Sequence, residues 1–287
     1  MATYQIITDS GCDLPKEKIE QLGVVCVPLY VNFRNETRED SVEADVKEMY
    51  DGLRAGETAT TSAINPDRWA NAMEPSLKEG KDVLVMTFSS GLSTTYQSAV
   101  IAGTELQEKY PQRKIFVVDT LCASLGQGLL VWHACQQRDN GMELDALKNW
   151  VEENRFHLCH WFTVDDLVYL KRGGRVSAAT ALLGTMLNIK PVLHMDDEGH
   201  LINVSKTRGR KASLDALLDQ AVQLGLPGQN KVMFICHGDC LEDAQYLADK
   251  VKETTEAEEV FIGYTGSVIG SHSGPGTLAL FFLGEHR

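Results

Sequence analysis

Hydroxyl side chains crowd one short stretch of this sequence. Ser89, Ser90, Ser93, Thr94 and Thr95 all fall within Ser89-Ser90-Gly91-Leu92-Ser93-Thr94-Thr95-Tyr96-Gln97-Ser98-Ala99. Val83 to Phe88 just before it is an apolar run that reads as a buried strand, and Tyr96 to Tyr110 carries apolar residues at helical spacing. A strand, a polar turn and a helix start therefore meet there. The first N–H groups of such a helix are unpaired, and its dipole makes them a site for negative charge. Ser93 is the natural N-cap, with Thr94 and Thr95 behind it. Five hydroxyls exceed what a cap needs, so the turn is read as an oxyanion site, for phosphate or carboxylate alike. A second stretch with chemical content runs from Gly266 to Thr277, where glycines, serines, Pro275 and His272 precede a last apolar strand, Leu278 to Leu283. Glycine permits close backbone approach to a ligand, and an imidazole can donate to an anion. A third is the hydroxyl-rich segment Thr58 to Ser62. Neither a Walker motif nor a dinucleotide fingerprint is present.

Composition narrows the classes. The chain has 287 residues, 43% of them hydrophobic and 23% charged, with a net charge of −13. That balance fits a globular protein and argues against general nucleic-acid binding, which needs a basic surface. No run is long and apolar enough for a bilayer span, so no stable membrane insertion is expected, and the N-terminus has no signal-peptide pattern. Seven cysteines without a CxxC pair fit reduced thiols and a cytoplasmic setting. Cys236, His237 and Cys240 form an incomplete zinc set, so neither metal nor cofactor is expected.

The elements that must position these residues alternate from the start. Strands are expected at Tyr4–Thr8, Val24–Val31, Val83–Phe88 and Ile115–Val118, with a polar excursion over Asn32 to Asp40. Helices are expected from Pro15, from Val42 to Leu53, from Pro66, from Tyr96, from Ala123 to Arg138 and from Leu144 to Arg155. This order implies a mostly parallel sheet with helices on both faces, and ligands beyond the C-terminal strand ends. Segments 8–11, 58–62 and 89–95 are then candidates to converge. From Phe156 the pattern changes. A strand at Trp161–Val164 is followed by the basic segment Val168–Arg175 and a small-residue helix, Ala178–Leu187. Strands at Pro191–Met195 and Leu201–Ser205 flank the hairpin signal Asp197-Glu198-Gly199. Helices at Lys211–Leu224 and Leu241–Lys252 alternate with strands at Val232–Cys236 and Val260–Tyr264. Two α/β domains are expected, residues 1–155 with the parallel sheet and residues 156–287 with a mixed one.

Taken together, the blocks resemble the DegV family of bacterial fatty-acid-binding proteins over essentially the whole chain. Thr8-Asp9-Ser10 with Asp13-Leu14, Thr61-Ser62, and Ser89 to Ala99 match the family's first motifs. Tyr169 to Arg175, Leu187 to Pro191, and Val268 to Gly276 match the later ones. The resemblance implies a single long-chain fatty acid held in a tunnel between the domains, with its carboxylate bound through Thr61, Ser93 and His272. Ser62 and Thr94 are placed beside them. Thr94 stands where the family usually has Gly, and Ala63-Ile64 where Gln-Pro is usual. The resemblance also implies that a partner fatty acid kinase does the phosphorylation, the protein itself being no enzyme. Lys171 to Arg175 and Lys206 to Lys211 place seven cationic residues in two short segments, so Arg175, Arg208 and Arg210 are assigned to kinase docking. The alternative is a serine hydrolase or acyltransferase using Ser93 and His272. Against it stand the absence of a Gly-x-Ser-x-Gly elbow and of an evident acidic orienter. Phe281 and Met186 are candidates for the tunnel wall, or equally for ordinary core.

Overall fold

The structure, a computed structural model, describes residues 4–40, 42, 45–176 and 188–287. In the N-terminal part four strands run parallel, in the order β2 (Val25–Val27), β1 (Tyr4–Asp9), β6 (Asp82–Thr87), β7 (Ile115–Asp119). Successive side chains point to opposite faces of a strand, and here both faces are apolar. Ile7, Val83 and Val85 pack with α3 (Pro66–Lys78) and α4 (Thr95–Lys109). Ile6, Leu84 and Met86 pack with α5 (Ser124–Asp139) and α6 (Leu144–Asn154). Burial on both sides explains why these strands read as continuous apolar runs.

The C-terminal part is a six-stranded mixed sheet in the order β10 (Leu201–Arg208), β9 (Ile189–Met195), β8 (Leu158–Thr163), β13 (Leu278–Leu283), β11 (Val232–His237), β12 (Glu259–Tyr264). Only β11 and β12 pair in parallel. Trp161, Ile235, Leu280 and Phe282 on one face are covered by α8 (Arg210–Leu224) and α9 (Leu241–Thr254). Phe162, Phe234 and Phe281 on the other face join the cluster of α5. Helix α5 therefore lies between the two sheets. Leu125, Leu129, Leu130 and Val131, which point all round it, are fully buried, as a helix apolar on every side must be.

Four stretches depart from the sequence reading. Val24 to Val31 is two strands, because Pro28 has no N–H to continue a ladder. Val25–Val27 joins the parallel sheet, while β3 (Tyr30–Phe33) opens a separate antiparallel sheet in the order β4 (Glu36–Glu39), β3, β5 (Ala59–Ser62). The polar excursion is thus a hairpin, turning at Arg34 and Asn35, whose positive φ of 52° and 63° suits the two-residue turn matched to strand twist. Thr58 to Ser62 is mostly strand, with Thr61 opposite Val31. The closing segment is not all loop either: α10 (Ser267–Ser273) carries His272 in its last turn and stops at Gly274, at φ 81°. Lesser differences are α2 (Asp45–Arg54), whose expected start near Val42 is not seen among the described residues, and α7 (Val168–Arg172) within the basic segment. The helix expected at 178–187, and Met186 with it, lies outside the described residues.

Candidate functional site

The small sheet sets the first contact of the site. Strand β5 pairs with β3 on one side only, and α10 packs against it. That apposition brings Thr61 Oγ1 to 2.8 Å from His272 Nε2. The other ring nitrogen faces Gly173, at the end of α7, where a methyl group would stand 2.2 Å from His272 Nδ1. The lack of a side chain at Gly173 is what lets the imidazole lie there.

Two residues on, Arg175 closes the cluster. Its Nε and Nη2 donate to the Leu92 carbonyl at 3.2 and 3.0 Å, and Nη1 donates to the Gly173 carbonyl. The guanidinium thereby ties α7's end to the hydroxyl-rich turn. In that turn Ser93 Oγ accepts from the Thr95 N–H at 3.2 Å and lies 2.8 Å from Thr95 Oγ1. Ser93 is thus not the N-cap expected of it: α4 begins at Thr95, Thr94 occupies the cap position without a side-chain cap bond, and Ser93, one residue earlier, makes a local turn bond to the Thr95 N–H. The turn is held from behind by the β9–β10 hairpin. Ser89 Oγ donates to the Gly199 carbonyl at 2.9 Å, and a methyl on Gly91 would sit 2.6 Å from that oxygen.

These residues form the polar part of a cavity of about 450 Å³, within the range of roughly 300–1,000 Å³ usual for small-molecule sites. Thr61, Ser62, Ser93, Thr94, Arg175 and His272 all line it, and so does Phe281. Its floor is one face of the mixed sheet: Leu201, Met195, His160 with Phe162, Ala279 with Phe281, and Cys236, from β10, β9, β8, β13 and β11 in turn. At a strand spacing of roughly 4.8 Å this floor is about 19 Å across. Leu29, Phe88 and Leu92 face it from the N-terminal part, and Val268 and Ile269 of α10 from the side. Segments 58–62 and 89–95 do converge here; from segment 8–11, none is among the described lining residues.

The electrostatics are one-sided. Burial, and after it the positive charge of Arg175, push His272 down from 6.5 to about 4, so the imidazole is neutral at pH 7. Arg175, half-buried, is the one cationic side chain among the described lining residues, which include no Asp or Glu. Burial draws it below its usual value, yet a guanidinium stays charged. His160 in the floor is also neutral: Nδ1 donates to the Leu158 carbonyl at 3.0 Å and Nε2 accepts from the Ala123 N–H at 3.2 Å. Behind the wall, burial raises Asp9 to about 7 and Asp13 well above its usual value; the Ser124 hydroxyl donates to Asp13.

The assigned basic residues separate. Arg175 stands in the cavity wall. Arg210 is bonded to Asp243 at 2.8 Å and lies 3.7 Å from Asp165. Arg208 and Lys206 are exposed on β10 and make no ion pair among the described residues. Ser124, His160, Cys236 and Thr265 line the cavity without having been singled out as site residues. Both β8 and β13 are buried along their whole length, so no alternation in the sequence marks which of their residues face the floor. Among the described residues no group of three or more His, Cys, Asp or Glu is placed to hold a metal, and no helix is long and apolar enough to cross a membrane.

Fold and site define an α/β protein with an apolar pocket that ends in a cluster of hydrogen-bond donors. The model of the family described as "Uncharacterised protein, DegV family" matches residues 3–285. A DegV domain-containing protein of Clostridium perfringens (strain 13 / Type A) is 44% identical, over 100% of this chain and 99% of its own. Among solved structures, a fatty acid-binding DegV family protein from Thermus thermophilus superposes with a TM-score of 0.87 at 33% identity, covering 98% of this chain and 99% of that one. DegV, a fatty acid binding protein from Bacillus subtilis, gives 0.82 at 28%, covering 99% and 100%. The chain belongs to the DegV family.

Proposed function

We propose that this protein binds one long-chain fatty acid, its tail over the sheet floor and its carboxylate among Thr61, Ser62, Ser93, Thr94, Arg175 and His272. The observation that carries the reading is the cavity itself, about 450 Å³ of mostly apolar space with its one described cation and its hydroxyl cluster together. Each buried methylene contributes roughly 0.8 kcal/mol, so about fourteen of them give on the order of 11 kcal/mol before association costs. A buried carboxylate needs several donors, ideally a charged one, to offset its desolvation. Here Arg175 supplies charge and the hydroxyls supply bonds. The two sheets would then belong to two domains, 1–155 and 156–287, with the ligand between them. Denaturing extraction and mass spectrometry of the purified protein is expected to recover a C14–C18 fatty acid at about one per chain. Recovery of no lipid from a lipid-replete host would overturn the reading.

The protein on this reading is a carrier whose acyl carboxylate is phosphorylated by a partner fatty acid kinase in the cytoplasm. Exposed Lys206 and Arg208 on the edge strand β10 support a docking face; Arg175 and Arg210 are engaged elsewhere. Arg208→Ala is expected to keep lipid binding and slow acyl-phosphate formation by a cognate kinase; unchanged turnover would remove Arg208 from docking. Geometry disfavours the hydrolase alternative: Ser93 Oγ is paired with Thr95 and His272 Nε2 with Thr61, so the two are not hydrogen-bonded to each other.

A further inference from the structure

Two cysteine thiols at the edge of the parallel sheet touch each other. All seven cysteines are free, and only Cys26 and Cys240 are partly exposed. Cys26 stands in β2 opposite Thr8 of β1, and its side chain packs on the apolar cluster that contains Cys12. Cys12 ends the short turn Ser10–Cys12 that follows β1, and it is fully buried. The two thiols are in hydrogen-bond contact; that contact, and burial after it, hold the Cys12 thiol well above its usual value and so protonated at pH 7. Cys26 also lines a second cavity of about 470 Å³, with Ser10, Leu14, Lys16 and Ile19, which shares no described lining residue with the first. Cys240 differs: its thiol donates to the Thr277 carbonyl at 3.4 Å.

A disulfide of about 2.05 Å is shorter than a thiol–thiol contact, so one side has to give before a bond can form. Cys12 is pinned. The Asp13 N–H donates to the Ser10 carbonyl at 3.0 Å, the Gly11 N–H donates to Asp9 at 3.0 Å, and a methyl on Gly128 of α5 would stand 2.7 Å from the Cys12 carbonyl. Strand β2 is free to give, being three residues long and the edge of its sheet. We propose that Cys12 and Cys26 form an oxidative modification site, in which a hydroperoxide entering the second cavity oxidises Cys26 and Cys12 resolves it to a disulfide. The Cys26 sulfur, as thiolate, attacks one peroxide oxygen; an S–O bond forms, the O–O bond breaks, and the leaving hydroxide takes up the thiol's proton as water. The Cys12 sulfur then attacks the sulfenic sulfur; the S–S bond forms, the S–O bond breaks, and hydroxide leaves as water with the Cys12 proton. Two thiols are oxidised and one peroxide is reduced to two waters. A dithiol reductant reverses the step by exchange.

The test treats the reduced, folded full-length protein with a slight excess of hydrogen peroxide. Free thiols are then alkylated under denaturing conditions, and a digest without reductant is read by mass spectrometry. The Cys12–Cys26 linked peptide is expected to exceed any other linked pair by about tenfold, and to vanish after dithiothreitol. In Cys12→Ser the sulfenic acid at Cys26 lacks its resolving thiol and is expected to be captured by dimedone; in Cys26→Ser, Cys12 is expected to stay a thiol. Recovery of both residues as alkylated thiols from oxidised wild type overturns the proposal. So does Cys26 found as sulfinic acid beside an unchanged Cys12, or linked to any other cysteine. These outcomes are read on the wild-type chain and hold whether or not either variant folds.

Discussion

The donors at the polar end of the cavity differ in what they give an anion. Arg175 is charged, His272 is neutral at pH 7, and the hydroxyl of Ser93 is already part of the α4 start. Ser93→Ala therefore carries two effects. Loss of the turn bond to the Thr95 N–H costs about 1 kcal/mol of stability. Loss of a hydrogen bond to a charged group costs about 1.5–3 kcal/mol in fatty-acid affinity, if the carboxylate lies where proposed. Thermal denaturation and lipid titration on the same protein separate the two. A stability loss with wild-type affinity would leave Ser93 as a turn former alone.

At the scale of elements, the site depends on close approaches that the sequence marks only as glycines. A methyl at Gly173 would overlap His272 Nδ1 at 2.2 Å, and Gly173 itself has an ordinary helical backbone at φ −72°. Gly173→Ala should leave α7 intact, swing the imidazole off Thr61 and weaken fatty-acid binding by about tenfold. Isothermal titration beside circular dichroism checks this, and unchanged affinity would show that the ring has room to move. The same contacts show where sequence reading reached and where it stopped. The strand–turn–helix around Ser93 was legible because periodicity and capping are local. The small sheet was not, because Thr60 and Thr61 alternate with nothing apolar, and their pairing with Asn32 and Val31 spans some thirty residues. Helix α10 was masked by glycines and serines, poor helix formers that packing against β5 and α7 overrides. The cationic segment assigns Arg175 to docking; only the fold shows its fork closing on the Leu92 carbonyl.

Across the whole molecule, buried ionisable groups set the response to pH. His133, partly buried beside Trp132 and Trp150, and His272 are both lowered from 6.5 to about 4. The unfolded chain binds more protons than the folded one between those values. Their contribution to stability is therefore complete above about pH 6.5 and is lost as pH falls towards 4. Asp9 acts oppositely: raised by burial from 3.8 to about 7, it contributes stability at low pH that is lost as pH rises through 7. The clean measurement is a difference. His133→Phe is expected to flatten the fall of stability between pH 6.5 and 4 relative to wild type, by up to about 3 kcal/mol. Parallel urea-stability curves for the two proteins across that range would show that His133 titrates normally.

The single described cation in the cavity wall sits inside a chain of net charge −13. An approaching fatty-acid anion would then be repelled at long range and attracted only over the last few ångströms, where Arg175 is half-buried and poorly reached by salt. Dissolved salt screens the far repulsion more than the near attraction, with a Debye length of about 10 Å at 0.1 M. Capture should therefore speed up as ionic strength rises, the reverse of ordinary electrostatic steering. Stopped-flow association of a fluorescent fatty acid below its aggregation concentration reads this directly, and a rate that falls with salt would mean that the approach path is locally positive.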